Sequence, residues 1–334
     1  MAKKLVTFGE VMMRLSPPGH LKFSQADSFD IVYGGGEANV AISCAYLGMK
    51  AAHMTRFPDT ALGKAATQFL RKNWLSSDQI IYGDNKLGMY FLEKGAVHRP
   101  SVVTYERENS SFSKIQPDMV NWKTVLKGAD WFHWTGITPA ISEGAAMCCL
   151  EAIKTANKMG ITVSGDINSR ENMWKYGKTM QEIIPQLVAH CDIVITSPQG
   201  IHDIFGLGQV GGKFKDSAAL LMKAYPKIKK IVGKKRKSIS ASEQAIQGRF
   251  WTGKAFIKTK LLNISHVIDR VGTGDAFAAG LIYGLLHYKD ELDALNFATA
   301  ACALKHTVMG DVNMVSLENV KSLMGGNTSG ALRR

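Results

Sequence analysis

The sequence predicts an α/β fold in which a doubly wound, mostly parallel sheet carries a small β-strand lid. Strand-like and helix-like segments alternate at roughly thirty residues per unit, as expected when helices cover both faces of a parallel sheet. The apolar content of 46% over 334 residues allows a large core without a disulfide or a structural metal. Neither a linker-like stretch nor an internal repeat interrupts the sequence, so we interpret residues 1–334 as a single domain.

The strand-like segments come first in each unit and are rich in β-branched and aromatic residues. The candidates are 5–15, 51–57, 130–136, 161–167, 192–197 and 229–234. Helix-like segments lie at 37–48, 61–72, 142–160, 179–190 and 217–226. Several of these end in Gly or begin after Ser, Thr or Asp, which is typical of helix boundaries. A last, strongly apolar helix is predicted to begin at about Asp275.

Two stretches break this alternation, approximately 14–34 and 86–111. The first is polar with alternating apolar positions, and the second has the pattern of paired strands with no helix after them. Strands that interrupt an α/β domain usually project from it. We therefore expect the two stretches to form the lid.

The composition argues against several classes of protein. The five cysteines are scattered, odd in number and never spaced as CxxC, so neither a disulfide framework nor a structural zinc site is expected. The first residues contain no long apolar stretch that would mark a signal peptide. The longest apolar stretch, Ala276–Leu286, is too short to span a bilayer. We therefore expect a cytoplasmic protein with no membrane partner.

Positive charge is concentrated in one segment. Lys and Arg total 41 against 28 for Asp and Glu, and the residues between Lys227 and Lys237 include seven basic ones and no acid. A nucleic-acid surface would combine such a run with aromatic residues and a nucleic-acid-binding fold, and neither is indicated. We interpret the run as a solvated loop that partly faces the phosphates of a small ligand, and we expect no nucleic-acid partner.

The strongest motif lies between Val267 and Leu286. A β-branched strand leads to Gly272-Thr273-Gly274, after which the apolar helix begins. Glycines at such a junction leave backbone N–H groups at the helix N-terminus available to an anion, and the helix dipole would keep the Asp275 carboxylate ionised beside them. Phosphoryl transfer to an alcohol requires a carboxylate beside an anion hole, because the carboxylate orients the hydroxyl and accepts its proton. An ordinary N-capping Asp is the alternative.

Two weaker motifs carry groups suited to hydroxyls or anions. The first, Tyr33–Gly48, places three glycines before Glu37 and Asn39, so a ligand could touch bare backbone while the two side chains hold its hydroxyls. The second is the pair Asn168 and Arg170, which follows a strand and would lie at the carboxyl end of the sheet, where ligands bind. A Gly-rich helix start and a capped turn with a surface Arg are the alternatives.

Three other features are interpreted as structural. GLGQVG at 206–211 fits GxGxxG but has no clear strand immediately before it, and GRFWTGKA at 248–255 has Ala255 where a P-loop needs Ser or Thr. His133 alternates with bulky aromatic residues and is expected to lie in the core. No pair of histidines has the spacing of a metal site.

Taken together, the motifs resemble the ribokinase/PfkB family of sugar kinases over nearly the whole chain, from FGEVMMRL through GGGEANVA and FPDTALG to DRVGTGDAF. The resemblance implies a ribokinase-like fold, ATP and Mg²⁺ as cofactors, a monovalent cation such as K⁺ as a further ion, and a homo-oligomer of two or more copies. It also implies that Asp275 is the catalytic base. The implied anion hole and ATP site comprises Gly272, Thr273, Gly274, Asn168, Arg170 and Ser197.

Within the family, the segments GEANV, RFPD, GMYFLEKG, VVTYER, TGITPAIS, DINSR and MGDVN resemble the branch of 2-keto-3-deoxygluconate kinases. That resemblance implies ATP-dependent phosphorylation of the 6-hydroxyl of this sugar acid. Arg and Tyr are suitable donors to its carboxylate, and Asn and Asp are suitable acceptors for its hydroxyls. The implied substrate residues are Gly35, Asn39, Tyr90, Tyr105, Arg107, Arg170, Asp275 and Asp311.

The chain departs from the family at the NxxE motif that organises the magnesium shell, because Ser197-Pro198-Gln199-Gly200 stands there. No protein ligand of the metal is therefore assigned. One alternative is a kinase for a neutral sugar such as fructose or ribose, against which a cation in the lid, Arg107, argues. A second is a non-catalytic binding protein on a kinase fold, against which the intact GTGD argues.

Overall fold

The structure, a computed structural model, describes residues 3–167 and 170–330. Its strands are β1 Lys4–Phe8, β2 Met12–Ser16, β3 Asp30–Gly34, β4 Lys50–Phe57, β5 Ile80–Tyr82, β6 Met89–Glu93, β7 Val102–Glu106, β8 Trp131–Thr135, β9 Thr162–Asp166, β10 Ile193–Ile195, β11 Lys230–Ser238, β12 Gln244–Trp251, β13 Phe256–Lys258 and β14 Leu262–Ile264. Its α-helices are α1 Gly36–Tyr46, α2 Ala61–Lys72, α3 Trp122–Val125, α4 Thr138–Ile141, α5 Glu143–Lys158, α6 Met180–Val188, α7 Pro198–Phe205, α8 Phe214–Ala224, α9 Thr273–His287, α10 Glu291–Lys305 and α11 Leu317–Met324. None of the helices in these ranges is both long and apolar enough to cross a membrane.

The main sheet has the strand order β13-β12-β11-β10-β9-β8-β1-β4-β5, with β14 also paired to β12. Neighbours from β11 across to β5 run parallel, whereas β12, β13 and β14 form an antiparallel edge. The chain builds outward from β1 in both directions, first through β4 and β5 and later through β8 to β11. The prediction of a doubly wound, mostly parallel sheet is confirmed.

Helices cover both faces of this sheet because its strands carry apolar side chains on both sides. On one face, Val6 and Phe132 belong to the core formed with α5 and α6. On the other face, Leu5 and Trp131 belong to the core formed with α9 and α10. Successive side chains of a strand point to opposite faces, so each strand contributes to both cores. The strands are thereby held from both sides, and the candidate site lies at their carboxyl ends.

Four strands form a second sheet, which we call the lid sheet, in the order β3-β2-β6-β7. β2 is antiparallel to β3 and parallel to β6, and β6 is antiparallel to β7. These strands lie within 14–34 and 86–111, except that β2 begins at Met12. Gly34, Tyr90 and Val103, from three of the strands, line the same cavity. The lid sheet therefore forms one side of that cavity.

Two sequence-based interpretations are wrong. Segment 5–15 is not one strand, because β1 ends in the main sheet and β2 begins in the lid sheet. The chain crosses between the sheets at Gly9, where a Cβ would overlap the Glu37 carboxylate. The basic run is not a loop, because β11 pairs with β12 from Ile231 to Ser238. Antiparallel pairing with β12, the next strand along the chain, overrides the local polarity that suggested a loop.

Candidate active site

A cavity of about 650 Å³ lies between the lid sheet and the carboxyl ends of the main-sheet strands. From the predicted substrate residues, it is lined by Gly35, Asn39, Tyr90, Tyr105, Arg170, Asp275 and Asp311. From the predicted anion hole, it is lined by Gly272, Thr273, Gly274 and Arg170. Arg107 and Ser197 lie elsewhere, and Asn168 lies outside the described residues. Tertiary structure thus brings together residues that are up to 276 positions apart.

The GTGD turn forms the N-terminus of α9 at one wall of the cavity. Gly272 is the N-cap, and its φ of +76° is a left-handed conformation that glycine adopts without strain. A Cβ at this position would also overlap the Asp311 carbonyl oxygen. The first amides of the helix, Thr273 to Asp275, have no carbonyl partner within the helix and carry the positive end of its dipole. This wall is therefore suited to bind an anion.

Asp275 lies at this wall with its carboxylate oriented by the protein. The Asn39 side-chain amide donates to Oδ2 of Asp275 at 2.7 Å, which joins the starts of α1 and α9. Burial raises the pKa of Asp275 to about 6, although the hydrogen bond from Asn39 opposes the shift. The carboxylate is therefore harder to ionise than a free one, because desolvation outweighs the groups that favour its charge. A pKa near 6 still suits a general base at neutral pH.

The Gly-rich start of α1 separates its two polar side chains. Asn39 faces the cavity, whereas Glu37 is buried and accepts hydrogen bonds from the hydroxyls of Thr135 and Thr138 at 2.8 and 2.6 Å. Burial raises the pKa of Glu37 to about 7. The interpretation that Glu37 holds the hydroxyls of a bound ligand is wrong, because its carboxylate is directed into the protein and accepts from threonine hydroxyls instead.

A buried ion cluster connects the lid sheet to the α9 turn. Arg14 of β2 pairs with Asp269 at 2.7 Å and with Asp311 at 2.9 Å, and all three side chains are almost fully buried. The Tyr90 hydroxyl donates to Asp311 at 2.5 Å. We call these four residues the Arg14 cluster. Asp311 is therefore engaged by the protein itself. Arg14 lies within the segment FGEVMMRL but is not predicted as a site residue, because nothing in that segment connects it to Asp269 or Asp311.

Strand β11 presents basic side chains alternately to the cavity and to solvent. Lys234 and Arg236 line the cavity, and Nη2 of Arg236 donates to the Thr273 hydroxyl at 2.8 Å. Lys235 and Lys237 alternate with them and are exposed. The period of two that is characteristic of a strand therefore directs half of this basic segment toward the α9 turn.

The first residues of the basic run are paired with acids of the same chain. Lys227 and Lys229 each lie 3.0 Å from Asp192, and Lys230 pairs with Glu291. These three lysines are paired with carboxylates of the protein rather than directed at a ligand. The position of a basic residue in the segment, rather than its charge alone, therefore decides whether it lines the cavity or pairs with an acid of the same chain.

Arg107 follows β7 and lines a second cavity, of about 1100 Å³. Its Nε donates to Oε2 of Glu10 at 2.9 Å, and its Nη2 makes a further short contact with the same oxygen. Tyr105 lines both cavities, and its ring centre lies 5.8 Å from the guanidinium carbon of Arg107. The charge of Arg107, which was predicted to be a free cation of the lid, is thus neutralised by Glu10. The sequence pattern did not connect these two residues.

Two charged residues near the end of β9 face the cavity. Burial raises the pKa of Asp166, while the positive charges of Lys234 and Arg170 oppose the shift. Arg170 lines both cavities and has a φ of +32°, in the left-handed region. Such a backbone conformation costs free energy in a non-glycine residue. The side chain of Arg170 is shared by the two cavities. Arg170 is therefore the arginine best placed to reach a ligand in either cavity.

The remaining motif residues line neither cavity. The Ser197 hydroxyl accepts a hydrogen bond at 3.0 Å as the N-cap of α7. Segment 206–211 follows α7 rather than a strand, and 248–255 spans the end of β12 and the turn before β13. His133 is fully buried, as expected, with its Nδ1 2.7 Å from the Ser164 hydroxyl. Within the described ranges, no group of three His, Cys, Asp or Glu side chains could hold a metal ion.

Comparison with known proteins decides the family. The model of the pfkB family carbohydrate kinases matches residues 2–317. The chain belongs to this family. Its structure superposes on the crystal structure of 2-dehydro-3-deoxygluconokinase from Thermotoga maritima with a TM-score of 0.93. The two sequences are 38% identical, and the match covers 98% of this chain and 99% of the other.

Two further relatives of this pfkB-family kinase bear similar names. The 2-dehydro-3-deoxygalactonokinase of Haloferax volcanii is 28% identical over 99% of both chains. The 2-dehydro-3-deoxygluconokinase of Bacillus subtilis is 27% identical over 92% of this chain and 91% of the other. The chain is thus a phosphotransferase that acts on a sugar, and the resemblance drawn from its motifs is confirmed.

Proposed function

We propose that this kinase phosphorylates the 6-hydroxyl of 2-keto-3-deoxygluconate with ATP. The observation that carries the proposal is the position of Asp275, a carboxylate oriented by Asn39 at the N-terminus of α9 in a cavity that also contains Lys234 and Arg236. The relatives from Thermotoga maritima and Bacillus subtilis are named for this class of sugar acid, which supports the choice of substrate.

In the proposed reaction, the sugar hydroxyl attacks the γ-phosphorus of ATP, and the bond from that phosphorus to the bridging oxygen of ADP breaks. The Asp275 carboxylate accepts the hydroxyl proton. The amides of Thr273 and Gly274 are directed at the oxygens of the transferred group, where negative charge is concentrated in the transition state. Lys234 and Arg236 balance that charge from the adjacent strand.

Mg²⁺ fits this cavity as an ion carried by the nucleotide. It usually takes one or two carboxylates and completes its shell with phosphates and water. Asp166 lines the cavity and would hold the ion together with the phosphates of ATP. When bound, Mg²⁺ neutralises charge on those phosphates.

The carboxylate of the sugar acid requires a donor near the lid. Arg170 can offer two parallel N–H groups, which match a carboxylate, and Tyr105 lines the same two cavities. Arg107 lies in this region as well, but Glu10 already neutralises it. We therefore assign the main interaction with the sugar carboxylate to Arg170.

A kinase for a neutral sugar is the second candidate, and the pairing of Arg107 with Glu10 favours it. A coupled assay on 2-keto-3-deoxygluconate, its galacto epimer, fructose and ribose separates the two. We expect kcat/KM for the sugar acids to exceed that for the neutral sugars by at least about a hundredfold, because a site built for a charged group rejects ligands that lack it. Equal or better use of a neutral sugar contradicts the proposal.

We also propose that the chain forms a homo-oligomer. Phe29, Ile31 and Val102, on or next to the lid sheet, have exposed apolar side chains, and such exposure favours association. Light scattering after size-exclusion chromatography tests this, and a monomeric mass at assay concentration contradicts it.

A further inference from the structure

A buried ammonium lies directly behind the anion hole. Lys305, the last residue of α10, is fully buried, and its Nζ donates to the Val308 carbonyl oxygen at 2.9 Å. A Cβ placed on Gly272 would lie 3.4 Å from Cε of Lys305, so the lysine side chain runs along the back of the GTGD turn. No step of the reaction proposed above uses this lysine.

The surroundings of Lys305 support a charged side chain. Burial lowers its pKa, but the carboxylates of Asp269 and Asp311 oppose the shift. With Arg14, these groups make two cations and two anions in one buried site. An isolated buried charge carries a large desolvation penalty, whereas a group of balanced charges avoids most of it. The ammonium is thus part of a balanced ionic core.

A fixed positive charge at this place acts on the anion hole. The interior of a protein screens charges weakly, so an ammonium behind the turn stabilises phosphate oxygens bound in front of it. Lys305 and Asp275 also interact electrostatically. The charge of Lys305 therefore supports the amides of the GTGD turn at the site where the phosphoryl group would be transferred.

The monovalent cation that the family resemblance implies does not fit this place. Such an ion needs carboxylate and carbonyl oxygens. Behind the turn, the oxygens available among the described residues include those of Asp269, Asp311 and Val308, and these already surround or bind Lys305 and Arg14. A lysine ammonium has the same charge as K⁺ and is held covalently.

We infer that Lys305 is a built-in replacement for an activating monovalent cation, so that this kinase works at full rate without K⁺. The inference rests on the proposed kinase reaction and concerns how its anion hole is charged. Lys305 is a positioning residue in this scheme, since it acts on the phosphate through the turn and does not line the cavity.

The wild-type enzyme provides the first test. Turnover of the sugar acid with Mg²⁺ and ATP is measured in potassium chloride and in tetramethylammonium chloride at equal ionic strength. We expect rates that agree within about twofold, because the fixed ammonium does not exchange. Activation by K⁺ of more than about fivefold would overturn the inference, because a site closed by Lys305 has no room for that ion.

The variant Lys305→Ala provides the second test. In tetramethylammonium chloride we expect kcat/KM for ATP to fall at least about tenfold, and NH₄⁺ or K⁺ to restore at least about a third of it by occupying the space that the lysine side chain leaves. The exposed Lys289→Ala serves as the matched control and should show neither effect. Loss without rescue by either cation indicates a merely structural lysine and overturns the inference, as does wild-type activity in the variant.

Two further outcomes are separable from these. If Lys305→Ala does not fold, the wild-type salt series alone decides. If the wild-type protein phosphorylates no sugar in any salt, the proposed function fails, and the role of Lys305 is decided by the Kd for ATP, measured by calorimetry in the two salts. A wild-type Kd that tightens more than about fivefold with K⁺ overturns the inference, and an unchanged Kd supports it.

Discussion

The α9 turn and the end of the lid strand β7 each carry a charged residue within a recognisable motif, but the two residues have different surroundings. At the turn, Asp275 faces the cavity and is held by a neutral amide from Asn39. At the lid, Arg107 is neutralised by Glu10, which lies 97 positions earlier in the chain. A motif therefore indicates the role of a charged side chain only where no distant segment supplies it with a counter-charge.

The largest effect is expected at the turn. Asp275→Asn keeps the shape of the side chain and removes the proton acceptor, so kcat should fall by roughly two to four powers of ten while the KM values change little. Asp216→Asn is the control, since Asp216 also lies in the first turn of a helix, α8, but is exposed. If the Asp275 variant keeps more than a tenth of wild-type turnover, the turn does not supply the base.

The backbone of the turn provides the next prediction. Gly272→Ala should lower the free energy of unfolding by about 1–3 kcal/mol and weaken ATP binding, because the position combines a left-handed φ with an overlap against Asp311. Gly274→Ala is the control, since the nearest atom to its added Cβ is the flexible Nζ of Lys234 at 3.5 Å. Thermal unfolding and calorimetry measure both effects. Equal melting temperatures for the two variants would contradict this account of the turn.

The role of the lid can be tested by comparing Arg107, which follows the lid strand β7, with Arg170, which follows β9 of the main sheet. Arg170→Ala should lower kcat/KM for the sugar acid by about ten- to a hundredfold and leave that for a neutral sugar nearly unchanged, since a charge-assisted pair contributes roughly 1.5–3 kcal/mol. Arg107→Ala should have a smaller kinetic effect. It should also lower the melting temperature, because it leaves the almost fully buried Glu10 carboxylate without its cation.

A larger kinetic loss in Arg107→Ala than in Arg170→Ala would reverse this comparison. It would mean that Glu10 releases Arg107 when the sugar acid binds. The second variant Arg107→Lys then distinguishes charge from geometry, because lysine cannot reproduce the two parallel N–H groups of arginine.

The pH dependence tests the raised pKa of Asp275. With a pKa of about 6, the base is protonated in acid, so kcat/KM should fall about tenfold per pH unit below pH 6. Because the folded-state pKa is raised, protonated Asp275 increases the free energy of unfolding below about pH 4. This contribution is lost as the pH rises through 6. Asp275→Asn should therefore melt above the wild type at pH 8 and close to it at pH 4. A wild type that melts above Asp275→Asn at pH 8 would contradict the raised pKa of Asp275.

The smallest effect is expected on β11. Replacing Lys234 and Arg236 by Gln should raise the KM for ATP about threefold to tenfold, since partly exposed charges contribute about 1 kcal/mol each or less. Replacing Lys235 and Lys237 by Gln removes the same charge from the exposed side of the strand and should leave KM unchanged. Equal effects of the two double variants would show that overall charge, rather than strand alternation, governs nucleotide binding.

The sequence by itself determined the class of fold and the chemistry of the turn. Alternating strand and helix patterns reflect burial of each strand on both faces, which is a local property of the apolar residues. The turn is equally local, because the conformation of Gly272 and the unpaired amides of α9 depend on four consecutive residues. For the same reason, the paired strands at 86–111 could be predicted from their own pattern.

Only the tertiary structure decided how the charges of the site are balanced. Arg14, Asp269, Asp311 and Lys305 come from separate elements and carry no joint signature in the sequence, yet together they form the ionic core behind the turn. The basic run became a strand because β12 pairs with it, and pairing then divided its side chains between cavity and solvent. Electrostatic energy in a weakly screened interior depends on every neighbouring charge, and those neighbours are known only once the chain has folded.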